Sequence, residues 1–183
     1  MTRGEGLTSK QVATFVILIL MAMVLSFIDT PLIPGVDWLT YDPSGVVVGL
    51  TALLWGPWQG VAVAALSWIP HLATGFLGAS MNIMASASMA VVFGSLCRRR
   101  RGVARVALAG AASVAAATVV SVCLNFVVTP MYLSTTYEAV AALVVPYLLP
   151  FNVIKAAANV TLAAVAYFKL RALLAEGDGA EKS

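Results

Sequence analysis

SGVVVGLTALLWGPWQGVAVAALSWIPHLATGFLGASMNIMASASMAVVFGSLC, the sequence from Ser44 to Cys97, contains no Asp, Glu, Lys or Arg. Two other stretches, Val12 to Ile28 and Val106 to Thr136, are equally free of charge. A helix needs roughly 20 mainly apolar residues to cross a bilayer. Runs of this length and composition therefore predict a protein that lies in lipid.

The overall composition leads to the same interpretation. Of the 183 residues, 61% are hydrophobic and 10% are charged, whereas soluble domains carry about 25% charged residues. The net charge of +3 does not indicate nucleic-acid binding, because Arg98 to Arg101 and Arg105 cluster between two apolar runs. Such a cluster is typical of a cytoplasmic loop. Cys97 and Cys123 have no metal-ligand spacing.

Glycine and proline divide the apolar sequence into helices. Gly56-Pro57 separates two apolar segments, and Gly75 to Gly78 separates two more. We therefore expect an all-α integral membrane protein with a single membrane domain over residues 1–183. Its six transmembrane helices are predicted at about 11–29, 44–55, 58–74, 79–97, 103–128 and 150–170, with outer loops at 30–43 and 129–149.

The number of crossings follows from charge. The segment from Ser44 to Trp55 is short for a span. If it crosses the bilayer, both termini and the arginine cluster lie on one side, as the positive-inside bias favours. Ten of the eleven Lys and Arg residues then lie in the cytoplasm, with Lys155 as the exception. The stretch from Ala139 to Leu149 becomes an outer lid or interfacial segment.

Lys155 follows Pro150 near the start of the last apolar helix. A charge within the bilayer costs about 2.5–3.5 kcal/mol on insertion scales, so a lysine there usually faces a cavity or a partner. The alternative is that its ammonium snorkels to the headgroups. Asn152 and Asn159 lie three and four residues away on the same helical face. This polar stripe favours an inward orientation.

Other polar and aromatic residues are expected at the same depth, on the outer side. They are His71, Asn82, Asn125 and Tyr132 near helix ends, and Trp38, Tyr41 and Asp42 in the first outer loop. Each amide or imidazole alone could be a satisfied hydrogen bond between helices. Together they predict a pocket for a small molecule, since such sites combine aromatic and amide groups.

Small residues four apart on the first helix, Ala22 and Ser26, predict a docking face for a partner, because small side chains let membrane helices approach closely. The alternative is packing within the chain. The sequence lacks a G-x-S-x-G element and has a single histidine, so we expect no enzyme and no metal site. It also lacks G-x-x-x-x-G-K-[ST]. Any ATP-driven transport therefore needs another subunit.

Four segments resemble one family over nearly the whole chain. They are Tyr41-Asp42-Pro43-Ser44, Leu54-Trp55-Gly56-Pro57-Trp58-Gln59-Gly60, Asn125-Phe126 with Pro130-Met131-Tyr132, and Leu149-Pro150-Phe151-Asn152-Val153-Ile154-Lys155. These segments are similar to elements of the substrate-binding S-components of energy-coupling factor (ECF) transporters, nearest to the riboflavin-type members. The last segment, which matches Pro-Phe-Asn-x-x-Lys, is the most specific.

The resemblance implies a multi-pass protein of a prokaryotic plasma membrane, with six helices and an outward-facing vitamin pocket. It implies no cofactor, riboflavin or a related flavin as the transported ligand, and a transmembrane T-component with two ATP-binding subunits as partners. Asn125, Asn152 and Lys155 would contact the ligand. Phe126 stands where the family usually has tyrosine, and Gly45-Val46 lacks a frequent proline. An S-component for another vitamin or small metabolite, a structural membrane protein and a membrane enzyme stay open as alternatives.

Overall fold

In the computed structural model, residues 8–99 and 101–180 are described, without the side chains of 132–133 and 175–180. This part is a bundle of α-helices with one small hairpin. The helices are α1 Ser9–Ser26, α2 Ser44–Trp55, α3 Pro57–Ser67, α4 Ile69–Thr74, α5 Phe76–Cys97, α6 Val103–Leu133, α7 Tyr137–Leu143 and α8 Leu149–Ala180. A π-helical segment, Val144–Leu148, joins α7 to α8, and the strands β1 Thr30–Pro31 and β2 Thr40–Tyr41 pair antiparallel.

Local sequence sets several helix ends. Thr8 and Gln11 form a capping box that satisfies free backbone N–H groups at the start of α1. Gly56 has a φ of 114°, a conformation that other residues rarely adopt, and it turns the chain between α2 and α3. Pro57 then occupies the first turn of α3, where its missing N–H costs nothing.

Within the described residues, four helical segments are long and apolar enough to cross a membrane: Ser9–Ser26, Phe76–Cys97, Val103–Met131 and Tyr137–Leu174. The segment Ser44–Trp55 is apolar but shorter. The all-α membrane fold is therefore confirmed, while the six crossings stay a prediction. The short α2 lies among α1, α3, α5 and α8, with most of its side chains buried. Since protein surrounds α2, it does not need to match the thickness of the lipid.

The core lies where α2, α3 and α5 meet. Phe93, Leu53, Val63 and Ala90 are fully buried there. α6 packs against α5 and α8, and α8 returns to α2, which closes the bundle. One end of the bundle carries the β1–β2 hairpin, and we call it the hairpin end. A smaller apolar cluster at this end joins Leu39 to residues of α7, the π-helical segment and α8.

Several predicted boundaries were wrong. The helix expected at 58–74 is interrupted at Trp68, where α3 ends and Pro70 lies in the first turn of α4. The helices expected to end at 128 and 170 continue to Leu133 and Ala180. The loop expected at 129–149 is largely helical, and the loop at 30–43 contains the hairpin. Apolar helix ends are hard to locate because lipid and protein favour the same side chains.

The predicted docking face on α1 also needs correction. Ala22 has no exposed surface and Ser26 is 3% exposed, because this side of α1 packs within the bundle. The Ser26 hydroxyl contacts the His71 Nε2 atom at 2.8 Å. In this structure, Ala22 and Ser26 therefore serve packing within the chain, which was the alternative interpretation.

Candidate functional site

A cavity of about 530 Å³ opens at the hairpin end. It lies between the end of α1, the hairpin loop, α4, α5, α6 and α8. Small-molecule pockets typically measure about 300–1,000 Å³ and are mostly apolar with a few placed polar groups. The size and position of this cavity fit such a pocket.

Lys155 ties three elements together at the wall of this cavity. Its Nζ atom lies 2.8 Å from the Asp42 Oδ2 atom. It also donates to the Asn82 Oδ1 atom at 2.9 Å and to the Thr40 carbonyl oxygen at 3.2 Å. An ammonium has three hydrogens to donate, and these three acceptors match that number. α8, α5 and the hairpin loop are therefore joined through one side chain.

Asp42 is itself held in place at the start of α2. Its Oδ1 atom accepts hydrogen bonds from the backbone N–H and the hydroxyl of Ser44. The Trp68 indole N–H donates to the same hydroxyl at 3.2 Å. A carboxylate at a helix N-terminus satisfies free N–H groups and complements the helix dipole. The Asp42–Lys155 ion pair is thus built into the framework of the bundle.

Asn152 and Asn159 line the cavity from positions about two turns apart on α8. The Asn152 Nδ2 atom donates to the Leu148 carbonyl oxygen at 2.7 Å, and the Asn159 Oδ1 atom accepts from the Tyr41 hydroxyl at 3.1 Å. Within the described residues, the Asn152 Oδ1 and Asn159 Nδ2 atoms make no hydrogen bond, although both residues line the cavity. Both amides therefore form part of the cavity wall.

Gly45 makes the position of Asn159 possible. A Cβ atom at residue 45 would lie 2.3 Å from the Asn159 Nδ2 atom, far closer than atoms can approach. The absence of a side chain at this position lets the amide lie against the first turn of α2. The sequence departure at Gly45-Val46 therefore has a structural counterpart beside the cavity.

Asn125 lines the cavity from α6. It donates to the Ser121 carbonyl oxygen at 2.8 Å and accepts from the Thr129 hydroxyl at 2.8 Å. These bonds fix the orientation of the amide and leave its second N–H without a partner among the described residues. Pro130 lies inside α6 one residue beyond Thr129, so hydroxyl and amide side chains lie next to an interrupted backbone hydrogen bond.

Several aromatic side chains also line the cavity. His71 lies between Phe27 and Trp68, with ring centroids 4.5 Å from each. Phe151 and Trp38 also line the cavity. Sequence reasoning missed Phe27, Trp68 and Phe151 as site residues, since an aromatic residue within an apolar run is equally typical of a core. Flat walls of this kind suit a planar ring system.

The structure brings together most of the predicted site residues. Those that line the cavity are Trp38, His71, Asn82, Asn125, Asn152, Lys155 and Asn159. Tyr41 and Asp42 lie behind the wall, where they hold Asn159 and Lys155. Tyr132 lies in the last turn of α6, and its side chain falls outside the described part.

A family model for the substrate-specific component of ECF transporters matches residues 10–167. The chain belongs to this family. It is therefore an S-component, a membrane-embedded subunit that binds a substrate for uptake and not an enzyme. S-components work with a T-component and ATPase subunits.

A solved structure of the S component of a bacterial ECF transporter is similar to this one, with a TM-score of 0.78 and 24% sequence identity. The match covers 90% of this chain and 97% of the other. At this identity the likeness establishes the fold. No curated protein matches the chain.

Proposed function

We propose that this S-component captures a water-soluble vitamin, riboflavin or a related flavin, at the hairpin end of the bundle. The observation that carries the proposal is the cavity whose aromatic walls meet amide groups on α6 and α8. Its volume of about 530 Å³ suits one vitamin-sized molecule.

The chemistry of the wall favours a flavin. A planar tricyclic ring can lie against Phe27, Trp38 or Phe151, where stacking contributes about 0.5–1.5 kcal/mol per aromatic pair. The side-chain amides of Asn152 and Asn159 supply both donor and acceptor groups, which the pyrimidine-like flavin edge requires. Flavin side-chain hydroxyls would reach the second N–H of Asn125.

Uptake of the vitamin then requires partners. The sequence has no phosphate-binding G-x-x-x-x-G-K-[ST] loop, so we propose that a transmembrane T-component and two ATP-binding subunits supply the energy. The proposed setting is a prokaryotic plasma membrane with both termini in the cytoplasm. Cysteines introduced singly at Leu32 and Arg99, in a chain lacking Cys97 and Cys123, test this orientation. Labelling from outside at Leu32 and not at Arg99 is expected, and the reverse would overturn it.

Purification followed by flavin fluorescence titration tests the binding function. We expect a yellow flavin to copurify, or the fluorescence of added riboflavin to be quenched until the binding site is saturated. Asn152→Leu should weaken binding by roughly 2- to 12-fold, since a hydrogen bond contributes about 0.5–1.5 kcal/mol. Thr161→Val, on the same helix but outside the cavity, is the matched control. Equal affinity of the two variants would contradict the proposed site.

Uptake measurements test the need for partners. Cells that express this chain with the T-component and ATPases should concentrate radiolabelled riboflavin, and cells that express it alone should not. Concentrative uptake by the chain alone would overturn the proposed division of labour.

A further inference from the structure

The charges around the cavity bear on what kind of vitamin can enter it. Among the described residues that line the cavity, Lys155 is the only Lys or Arg side chain. The lining also includes two exposed carboxylates, Asp29 and Asp37, near the hairpin. A ligand approaching from the hairpin end therefore meets these carboxylates at the rim.

The positive charge of Lys155 is not free for an anion. Its three hydrogens are directed at Asp42, Asn82 and the Thr40 carbonyl oxygen. The Asp42 carboxylate, 2.8 Å away, compensates the positive charge of Lys155. The lysine side chain is 16% exposed and the aspartate side chain is 5% exposed. An incoming carboxylate or phosphate would have to replace Asp42, which two hydrogen bonds from Ser44 hold at the start of α2.

Taken together, the described lining residues and Asp42 carry two more negative charges than positive ones, with His71 counted as neutral. An anion in this cavity would lose its hydration without gaining a free cation and would be repelled by the rim. A neutral ligand incurs no such repulsion, and a cationic ligand is attracted by the rim carboxylates.

We propose that the cavity selects a neutral or cationic ligand and discriminates against phosphorylated or carboxylated ones, with Lys155 as a positioning residue. This inference rests on the proposed function, because it assigns the ligand class of the same site. Lys155 positions Asn82 and the hairpin loop, and Asp29 and Asp37 provide the discrimination at the rim.

Riboflavin and its 5′-phosphate are a matched probe pair, since they differ by one phosphate of about −1.5 to −2 charges at neutral pH. Their affinities are measured on the purified full chain at one fixed pH, at low and at high salt. We expect the phosphate to bind about 10-fold more weakly at low salt, with a smaller ratio at high salt because of screening.

The double variant Asp29→Asn with Asp37→Asn should lower the ratio of the two affinities by about 5-fold. Glu138→Gln removes one exposed acid of α7 outside the cavity and is the matched control, which should leave the ratio unchanged. A ratio of one in the unmodified protein, or tighter binding of the phosphate, would overturn the inference. An unchanged ratio in the double variant would also overturn the role of the rim.

A thermal-shift panel separates this inference from the identity of the vitamin. The neutral or cationic members are riboflavin, pyridoxine and thiamine, and the anionic members are biotin, pantothenate and folate. Stabilisation by thiamine or pyridoxine without riboflavin would support the ligand class while excluding the flavin. Stabilisation by an anionic member would overturn the ligand class and leave the transport function intact. No stabilisation by any member would overturn both.

Discussion

The two ends of the bundle are built from the same helices but fill their interiors differently. At the opposite end from the hairpin, Leu53, Phe93 and Cys97 pack with at most 1% exposure. At the hairpin end, Asp42 and Lys155 form an ion pair beside an open cavity. α2 contributes to both, since Asp42 precedes its first turn and Leu53 lies in its last.

This contrast shows how a membrane protein can hold a polar site. Of the buried side-chain N and O atoms in the described residues, the Thr118 Oγ1 atom alone lacks a hydrogen-bond partner. The fully buried polar atoms at the hairpin end are thus satisfied within the chain. The tightly packed apolar end fixes the relative positions of the helices. The cavity at the hairpin end therefore stays open.

The largest effect is expected from breaking the ion pair. Asp42→Ala leaves the Lys155 charge unpaired and removes two hydrogen bonds at the start of α2, which should cost about 3–5 kcal/mol of unfolding free energy. Denaturation in detergent micelles measures it. Asp37→Ala, an exposed acid in the same loop, is the control and should have little effect.

Lys155→Met combined with Asp42→Asn sharpens the same test. The single Lys155→Met variant should be destabilised, because Asp42 then loses its cation. The double variant should recover much of that loss, since no charge remains buried alone. If Lys155→Met alone were neutral or stabilising, the ion pair would not hold the hairpin end together.

A further substitution tests the packing of α1. Ala22→Trp inserts a large side chain where there is no exposed surface, and overpacking of this kind costs about 1–3 kcal/mol. We expect a lower unfolding temperature together with lost uptake. Leu20→Trp, on an exposed face of the same helix, is the control. Normal stability of Ala22→Trp with lost uptake would restore the docking interpretation.

A smaller effect is expected at the joint between α2 and the cavity. Gly45→Ala forces the Asn159 amide away from the first turn of α2. Loss of one ligand hydrogen bond should weaken riboflavin binding by roughly 2- to 12-fold. Gly78→Ala, which meets no atom within 4 Å on the cavity side of α5, is the comparison. Equal affinities would mean that Asn159 does not contact the ligand.

The smallest effect concerns Tyr41, in β2. Burial, and secondarily the nearby Asp42 carboxylate, raises the pKa of the Tyr41 hydroxyl above its ordinary value. The folded state therefore holds this proton at pH values where the unfolded state releases it, so its contribution to stability falls as pH rises above about 10. Tyr41→Phe should show a shallower decline of unfolding temperature between pH 9 and 11. An identical decline would contradict this assignment.

The membrane class and the shared helical face of three polar residues follow from the sequence alone. Runs without charge required lipid, and the spacing of Asn152, Lys155 and Asn159 placed them on one face of a helix. The resemblance over the Pro-Phe-Asn-x-x-Lys segment agreed with the family that the chain belongs to. These inferences depend on local composition and helical period, which a single sequence contains.

The pairing of the polar groups and the covering of the helix faces depend on how the helices pack in three dimensions. Asp42 and Lys155 meet because α2 packs against α8, and nothing in the sequence near either residue indicates that contact. The packing of Ala22 was equally hidden, because α1 is apolar all around and lipid accepts the same side chains as a protein core. Where both surroundings are apolar, composition cannot distinguish the inside of a bundle from its outside.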